Sequence, residues 1–115
     1  MKVKITIDEK RAEAVLYDNP TAQDFASLLP LTLLIEDYNR TEKISQLSKK
    51  LSDQNAPNGF KPSIGDITYY EPWGNLALFY KDFSYANGLI SIGKVISGIE
   101  NFEGKDNATV TFEAI

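Results

Sequence analysis

Between Gly65 and Tyr80 the chain reads GDITYYEPWGNLALFY, a segment holding the only tryptophan, four Tyr or Phe residues, a proline and two glycines. Aromatic side chains suit a pleated, half-buried surface, and Glu71-Pro72-Trp73-Gly74 has turn chemistry, so the segment predicts two strands, Asp66–Tyr70 and Leu76–Tyr80, joined tightly. Alternation puts Ile67 and Tyr69 on one side of the first strand and Thr68 and Tyr70 on the other. One side must be core, and Leu76, Leu78 and Tyr80 are expected to fill it. The other side decides whether the rings serve packing alone or also line a groove.

The rest of the chain fits a β architecture around that pair. Val3, Ile5 and Ile7 alternate with Lys2, Lys4 and Thr6, which predicts a strand with one buried face. A charged turn at Asp8–Arg11 and a second strand at Ala12–Tyr17 complete a hairpin. Asn19, Pro20 and Thr21 mark a helix start, with Thr21 as the capping residue and Asp24 three places on. Ala22, Phe25, Ala26 and Leu29 fall at helical spacing, and Pro30 ends the segment. Leu31–Ile35 predicts a buried strand. Asn39 and Glu42 form a capping-box pattern, and Ile44, Leu47 and Leu51 at i, i+3 and i+7 predict a second short helix. Ser52–Ile64 is rich in Ser, Asp, Asn, Pro and Gly and predicts a long surface loop, a type of element often functional in compact domains. Strands near Leu89–Ile92, Val95–Ile96 and Thr109–Ala114 follow. Several short strands with one or two short helices predict a mainly β, closed barrel of about eight strands, which leaves no exposed sheet edge.

Composition narrows the chemistry. The 115 residues suit one domain over 1–115, able to bury roughly 65% of its unfolded surface. There is no cysteine and no histidine, which excludes disulfides, thiolate chemistry, the commonest zinc ligands and the commonest general base. Carboxylates at Asp66, Glu71 and Asp82 surround the aromatic segment without the spacing of a metal loop, so no metal or other cofactor is expected. A net charge of −4 is the wrong sign for a nucleic-acid partner. No apolar run is long enough for a membrane span, and MKVKITIDEK lacks the apolar run of an export signal, so a cytoplasmic protein is the default expectation. A domain cut from a larger protein, or a mature exported form, would read the same way.

The segment Ile92-Gly93-Lys94-Val95-Ile96-Ser97-Gly98-Ile99-Glu100, followed by a terminal strand, resembles the late strand pair of cyclophilins. Together with GDITYYEPWGNLALFYKDF and Gly88-Leu89-Ile90 it is similar to the small prokaryotic cyclophilin-like proteins, and the resemblance runs from the first strand to Phe112. It implies a cyclophilin-like β-barrel, in a family whose activity is largely unassigned. For cyclophilins proper, the resemblance implies peptidyl-prolyl cis-trans isomerase activity, carried by an arginine beside an apolar proline pocket and acting on a barrier of ~18–20 kcal/mol. The chain has two arginines, Arg11 and Arg40. Neither has the phenylalanine, histidine and glutamine found around the cyclophilin arginine, and Arg40 is the catalytic candidate by position.

Two classes of function follow. In the first, the module is non-enzymatic and takes a small molecule or an extended, proline-containing peptide at an aromatic groove, with Tyr70, Trp73, Asn75, Phe79 and Phe83 as contacts. Tyr and Trp suit this because each carries an apolar body and a hydrogen-bonding tip. In the second, Arg40 is the electrostatic catalyst of a weak prolyl isomerase. A further alternative is an accessory domain that associates with another protein. The glycines at 88, 93, 98 and 104 lack the clustering of a phosphate loop and are expected at turns and bulges.

Overall fold

The computed structural model describes residues 1–104 and 106–115. The chain opens with β1 (Lys2–Ile7) and β2 (Lys10–Leu16), joined through Asp8 and Glu9 in the left-handed region at φ 47° and 65°. Two such residues in succession build a hairpin turn whose twist matches that of the strands. Val3, Ile5 and Ile7 are fully buried, as their alternation demands.

Helix α1 (Pro20–Ala26) follows, capped by Asn19 rather than by Thr21. The Asn19 side chain accepts from the Ala22 N–H at 2.8 Å, and its own amide donates to the Ser91 carbonyl at 3.1 Å. The cap therefore also ties the helix to the barrel wall. Pro20 occupies the first helical position, where a missing N–H costs nothing. Thr21 turns inward and donates to the Ser52 carbonyl, while the Asp24 carboxylate accepts from the Ser52 N–H at 2.7 Å. Ala22 and Phe25 join the core, with Phe25 edge-on to Phe112 at a centroid separation of 5.4 Å.

Strand β3 (Leu31–Tyr38) is less buried than its apolar run implies. Ile35 is buried, but Leu34 lies on the outer surface, 60% exposed. A run of apolar residues signals burial on both faces only where something covers the second face, and among the described residues nothing covers Leu34.

The second helix is replaced by strand β4 (Glu42–Gln46). Asn39 and Arg40 adopt φ 58° and 52°, and the Thr41 N–H returns to the Tyr38 carbonyl at 3.1 Å, closing a hairpin with the three-residue connection Asn39-Arg40-Thr41 where a capping box was expected. The inward residues of β4 are Lys43 and Ser45, so the strand period is written in polar residues that hydropathy does not register. Leu47 and Leu51 reach the core after the strand ends, and the Tyr69 hydroxyl inside the barrel accepts from the Leu51 N–H at 3.2 Å.

After the 52–64 segment come β6 (Asp66–Tyr70), β7 (Asn75–Phe79), β9 (Leu89–Ser97) and β10 (Asn107–Ala114). The two expected strands at 89–92 and 95–96 are one strand, kept continuous by bulges opposite Ile67/Thr68 and Glu13/Ala14. The short pair β5 (Gly59–Phe60) and β8 (Ala86–Asn87) forms a separate two-stranded sheet that fastens the long loop to the 81–88 segment. The eight long strands close in the order β1-β10-β3-β4-β7-β6-β9-β2, every neighbour antiparallel. This is the closed barrel expected from the sequence. Gly98, at φ 87°, leads from β9 into one turn of 3-10 helix at Ile99–Phe102, whose Phe102 packs into the core. No helix among the described residues is long and apolar enough to cross a membrane.

Candidate functional site

The aromatic strand pair is buried on both faces. Ile67, Tyr69, Leu76 and Leu78 point into the main core, while Ala77 and Phe79 form a second, smaller cluster with Leu89 on the outer side of the sheet. Ile44, Phe60, Tyr70 and Ala86 pack against that cluster, so the loop sheet of β5 and β8 covers part of the barrel's outer face. Tyr80, expected as barrel filling, is buried at the strand end instead, and its hydroxyl donates to Asp37.

Beside the outer cluster lies a cavity of about 280 Å³. The Glu71–Gly74 turn forms one wall. It is pinned by the Gly74 N–H on the Tyr70 carbonyl at 2.9 Å and by the Gln46 side chain, which donates to the Trp73 and Gly74 carbonyls at 3.0 and 3.1 Å. Trp73 is thereby held upright between two tyrosines: its ring stands edge-to-face with Tyr70 at 5.2 Å and with Tyr38 at 6.0 Å. Phe83 lies over Phe79 in a stacked arrangement at 6.4 Å.

Tyr70, Trp73, Asn75, Phe79 and Phe83 all line this cavity. Phe79 and Asn75 are buried, Tyr70 is half-buried, and Trp73 and Phe83 are exposed at the rim. Tyr38, Asn39, Glu42, Ile44, Ala86 and Leu89 complete the lining, and sequence reasoning missed them. The signal for Tyr38 and Glu42 lay in the hairpin: read as a three-residue connection, Asn39-Arg40-Thr41 places them opposite each other across β3 and β4.

Two polar groups break the apolar lining. Asn75 is only 4% exposed, and its Nδ2 donates to the Leu76 carbonyl at 3.1 Å. Its Oδ1 has no hydrogen-bond partner among the described residues, a state that ordinarily costs about 1–3 kcal/mol. Glu42 faces the same cavity, and burial, followed by the like charge of Asp37, pushes its carboxyl up to about 7.

Arg40 lines a different hollow, together with Asp37, Lys43, Tyr80, Lys81 and Glu103. No arginine lines the aromatic cavity. In the Arg40 hollow, Asp37 Oδ1 accepts from the Tyr80 hydroxyl at 2.5 Å and from Lys43 Nζ at 3.1 Å. Burial pushes the Asp37 carboxyl up, but the hydrogen bonds from Tyr80 and Lys43, the Lys43 charge and the Arg40 N–H outweigh it and hold it below the usual carboxylate range. Arg11 pairs with Glu13 on the surface at 3.5 Å.

The carboxylates flanking the aromatic segment have structural partners. Asp66 accepts from the Ser63 N–H at 2.6 Å and pairs with Lys94 at 3.4 Å; Asp82 accepts from the Ile64 N–H at 2.9 Å; Glu71 pairs with Lys50 at 3.3 Å. Among the described residues no group of acidic side chains is arranged to hold a metal ion.

The fold has a solved counterpart. The solution structure of the hypothetical protein AF2241 from Archaeoglobus fulgidus superposes with a TM-score of 0.70 at 18% identity, covering 100% of this chain and 95% of that one. At that identity the likeness shows the fold alone. No curated protein matches the chain. The profile described as "Cyclophilin-like family" matches residues 5–113, nearly the whole barrel. The chain belongs to the cyclophilin-like family.

Proposed function

We propose that this protein is a binding module that holds a small organic group, free or on an extended peptide, in the cavity between the Glu71–Gly74 turn and Phe83. The observation that carries this reading is the clustering of Tyr38, Tyr70, Trp73, Phe79 and Phe83 around one concavity with a buried amide oxygen left unpaired. Concave, mostly apolar sites with a few convergent polar groups are the usual form of ligand pockets. The volume of about 280 Å³ lies just under the ~300–1,000 Å³ of sites for drug-sized molecules, which favours a small group.

Prolyl isomerisation is the less favoured reading. It calls for a fixed cation at the twisting amide, and Arg40 lies in the neighbouring hollow rather than among the rings.

The test is a fragment and short-peptide screen read by amide and indole NMR shifts. Saturable shifts centred on Trp73 and extending to Tyr70 and Phe83 are expected, with those of Tyr70 and Phe83 lost in Trp73→Ala while the barrel spectrum stays otherwise intact. A screen in which no compound moves the Trp73, Tyr70 or Phe83 resonances overturns the reading.

A further inference from the structure

Resting on the binding reading above, we infer that the group held in the cavity is a protonated alkylammonium, such as a lysine-like or N-methylated amine bearing at least one N–H. Three features of the cavity converge on that chemistry.

The first is the ring arrangement. Trp73 stands at 85° to Tyr70 and 82° to Tyr38, so these three rings meet edge-to-face, unlike the stacked pair of Phe79 and Phe83 in the same lining. A flat heteroaromatic ligand is best taken by parallel rings. Rings set edge-to-face suit a compact cation, which is drawn to aromatic faces by the ring quadrupole, most strongly for Trp.

The second is charge. Among the described residues Glu42 is the one ionisable carboxylate in the lining, and none of them adds a lysine or arginine to it. Its cross-strand neighbours are Tyr38 on β3 and Phe79 on β7, neither of which brings a counter-charge, while Asp37 on β3 adds like charge. A cation entering the cavity supplies the neutralisation that a proton otherwise provides. The net charge of −4 favours its approach.

The third is the Asn75 Oδ1. The Nδ2 of that amide is committed to the Leu76 carbonyl, which fixes the oxygen as the free end, an acceptor in search of a donor. A quaternary ammonium has no N–H to offer it. A protonated primary, secondary or tertiary amine does, and this separates the proposed ligand class from a fully methylated one.

Three soluble probes of nearly equal size distinguish the possibilities: N,N-dimethylethanolamine in its protonated form, choline, and the neutral isostere 3,3-dimethyl-1-butanol. Titrations at pH 8 are followed by Trp73 fluorescence and NMR shifts of the pocket residues. The expected order is dimethylethanolammonium, then choline, then the alcohol, with about tenfold between the first and last. Glu42→Gln should erase most of the preference for cations over the alcohol, and Asn75→Leu should bring dimethylethanolammonium down to choline. Equal or tighter binding of the alcohol overturns the ammonium assignment while leaving the binding reading standing. Absence of binding by all three also overturns it, and the fragment screen then judges the pocket independently. Should Asn75→Leu fail to fold, the wild-type ratio of dimethylethanolammonium to choline still decides the N–H requirement.

Discussion

The Tyr80 hydroxyl and Lys43 Nζ share one acceptor, Asp37 Oδ1, at 2.5 and 3.1 Å, and Lys43 also lies 5.1 Å from the centre of the Tyr80 ring. The lysine side chain is 1% exposed and the aspartate 20%. A charge is thus carried inside the barrel wall by a carboxylate that still touches water. Removing that carboxylate should cost more than a surface pair is worth, because it takes the counter-charge away from a buried ammonium. Asp37→Ala is expected to lower stability by about 2–4 kcal/mol, somewhat under a fully buried pair. Urea unfolding of Asp37→Ala against the double variant Asp37→Ala/Lys43→Met checks this, and the double variant should recover most of the loss. Because the Asp37 carboxyl is held below its ordinary value, its contribution is complete above the unfolded pKa near 3.8 and disappears as the pH falls below it.

Glu42 has the opposite sign. Its carboxyl rises from 4.5 to about 7, so between those values the folded protein keeps a proton that the unfolded chain has lost. The associated stability is whole below pH 4.5 and is lost as the pH rises through 7. Glu42→Gln, which mimics the neutral acid, should leave stability unchanged at pH 4 and raise it by about 1–3 kcal/mol at pH 8. Denaturant midpoints of the two proteins across this range are the measurement, and parallel curves would contradict the assignment.

Asn19 rather than Thr21 caps α1, and its amide also reaches Ser91 across the barrel rim. Asn19→Ala should therefore cost about 1–2 kcal/mol, at the upper end for a cap because two contacts are lost together. Thermal unfolding of Asn19→Ala and Asn19→Asp separates them: Asp keeps the cap to the Ala22 N–H and loses the donor to Ser91.

Gly98 marks the passage from β9 into the 3-10 turn. At φ 87° a Cβ is disfavoured, and it would sit 2.8 Å from Ala12 Cα and 2.9 Å from the Arg11 carbonyl oxygen. Gly98→Ala is expected to destabilise by about 2–4 kcal/mol, since backbone strain adds to a clash with backbone that cannot swing aside. Calorimetry reads the loss directly, and a loss within ~0.5 kcal/mol of wild type would mean that β2 and the turn can separate.

What the sequence made legible follows from where hydropathy and geometry agree. In β1, β6 and β7 the inward residues are apolar, so period-two alternation exposed both the strands and the side facing the core. In β4 they are Lys43 and Ser45, and the apolar residues that remained, Ile44, Leu47 and Leu51, imitated a helical stripe. The turn at Asn39-Arg40 was misread for a related reason: an Asn before a Glu caps a helix as readily as it enters a left-handed turn, and only the pairing of β3 with β4 chooses. The gathering of Tyr70, Trp73, Asn75, Phe79 and Phe83 at one cavity was legible because all five belong to one strand-turn-strand unit and the loop after it. Tyr38 and Glu42 arrive from elsewhere in the chain. Arg40 was a candidate as one of the chain's two arginines, set just after a predicted strand, and the hairpin places it in the next hollow.

Strand β7 has no idle face: Leu76 and Leu78 serve the barrel, while Asn75, Ala77 and Phe79 serve the outer layer, and all five are buried. Inherited change along it is therefore restrained from two directions at once, and a substitution that retunes the cavity from its floor also disturbs the barrel. Trp73 and Phe83, on the rim and exposed to water on part of their surface, are less bound by that restraint. Divergence in ligand preference among descendants of such a barrel would accumulate at those two positions first, with the floor passed on nearly unaltered.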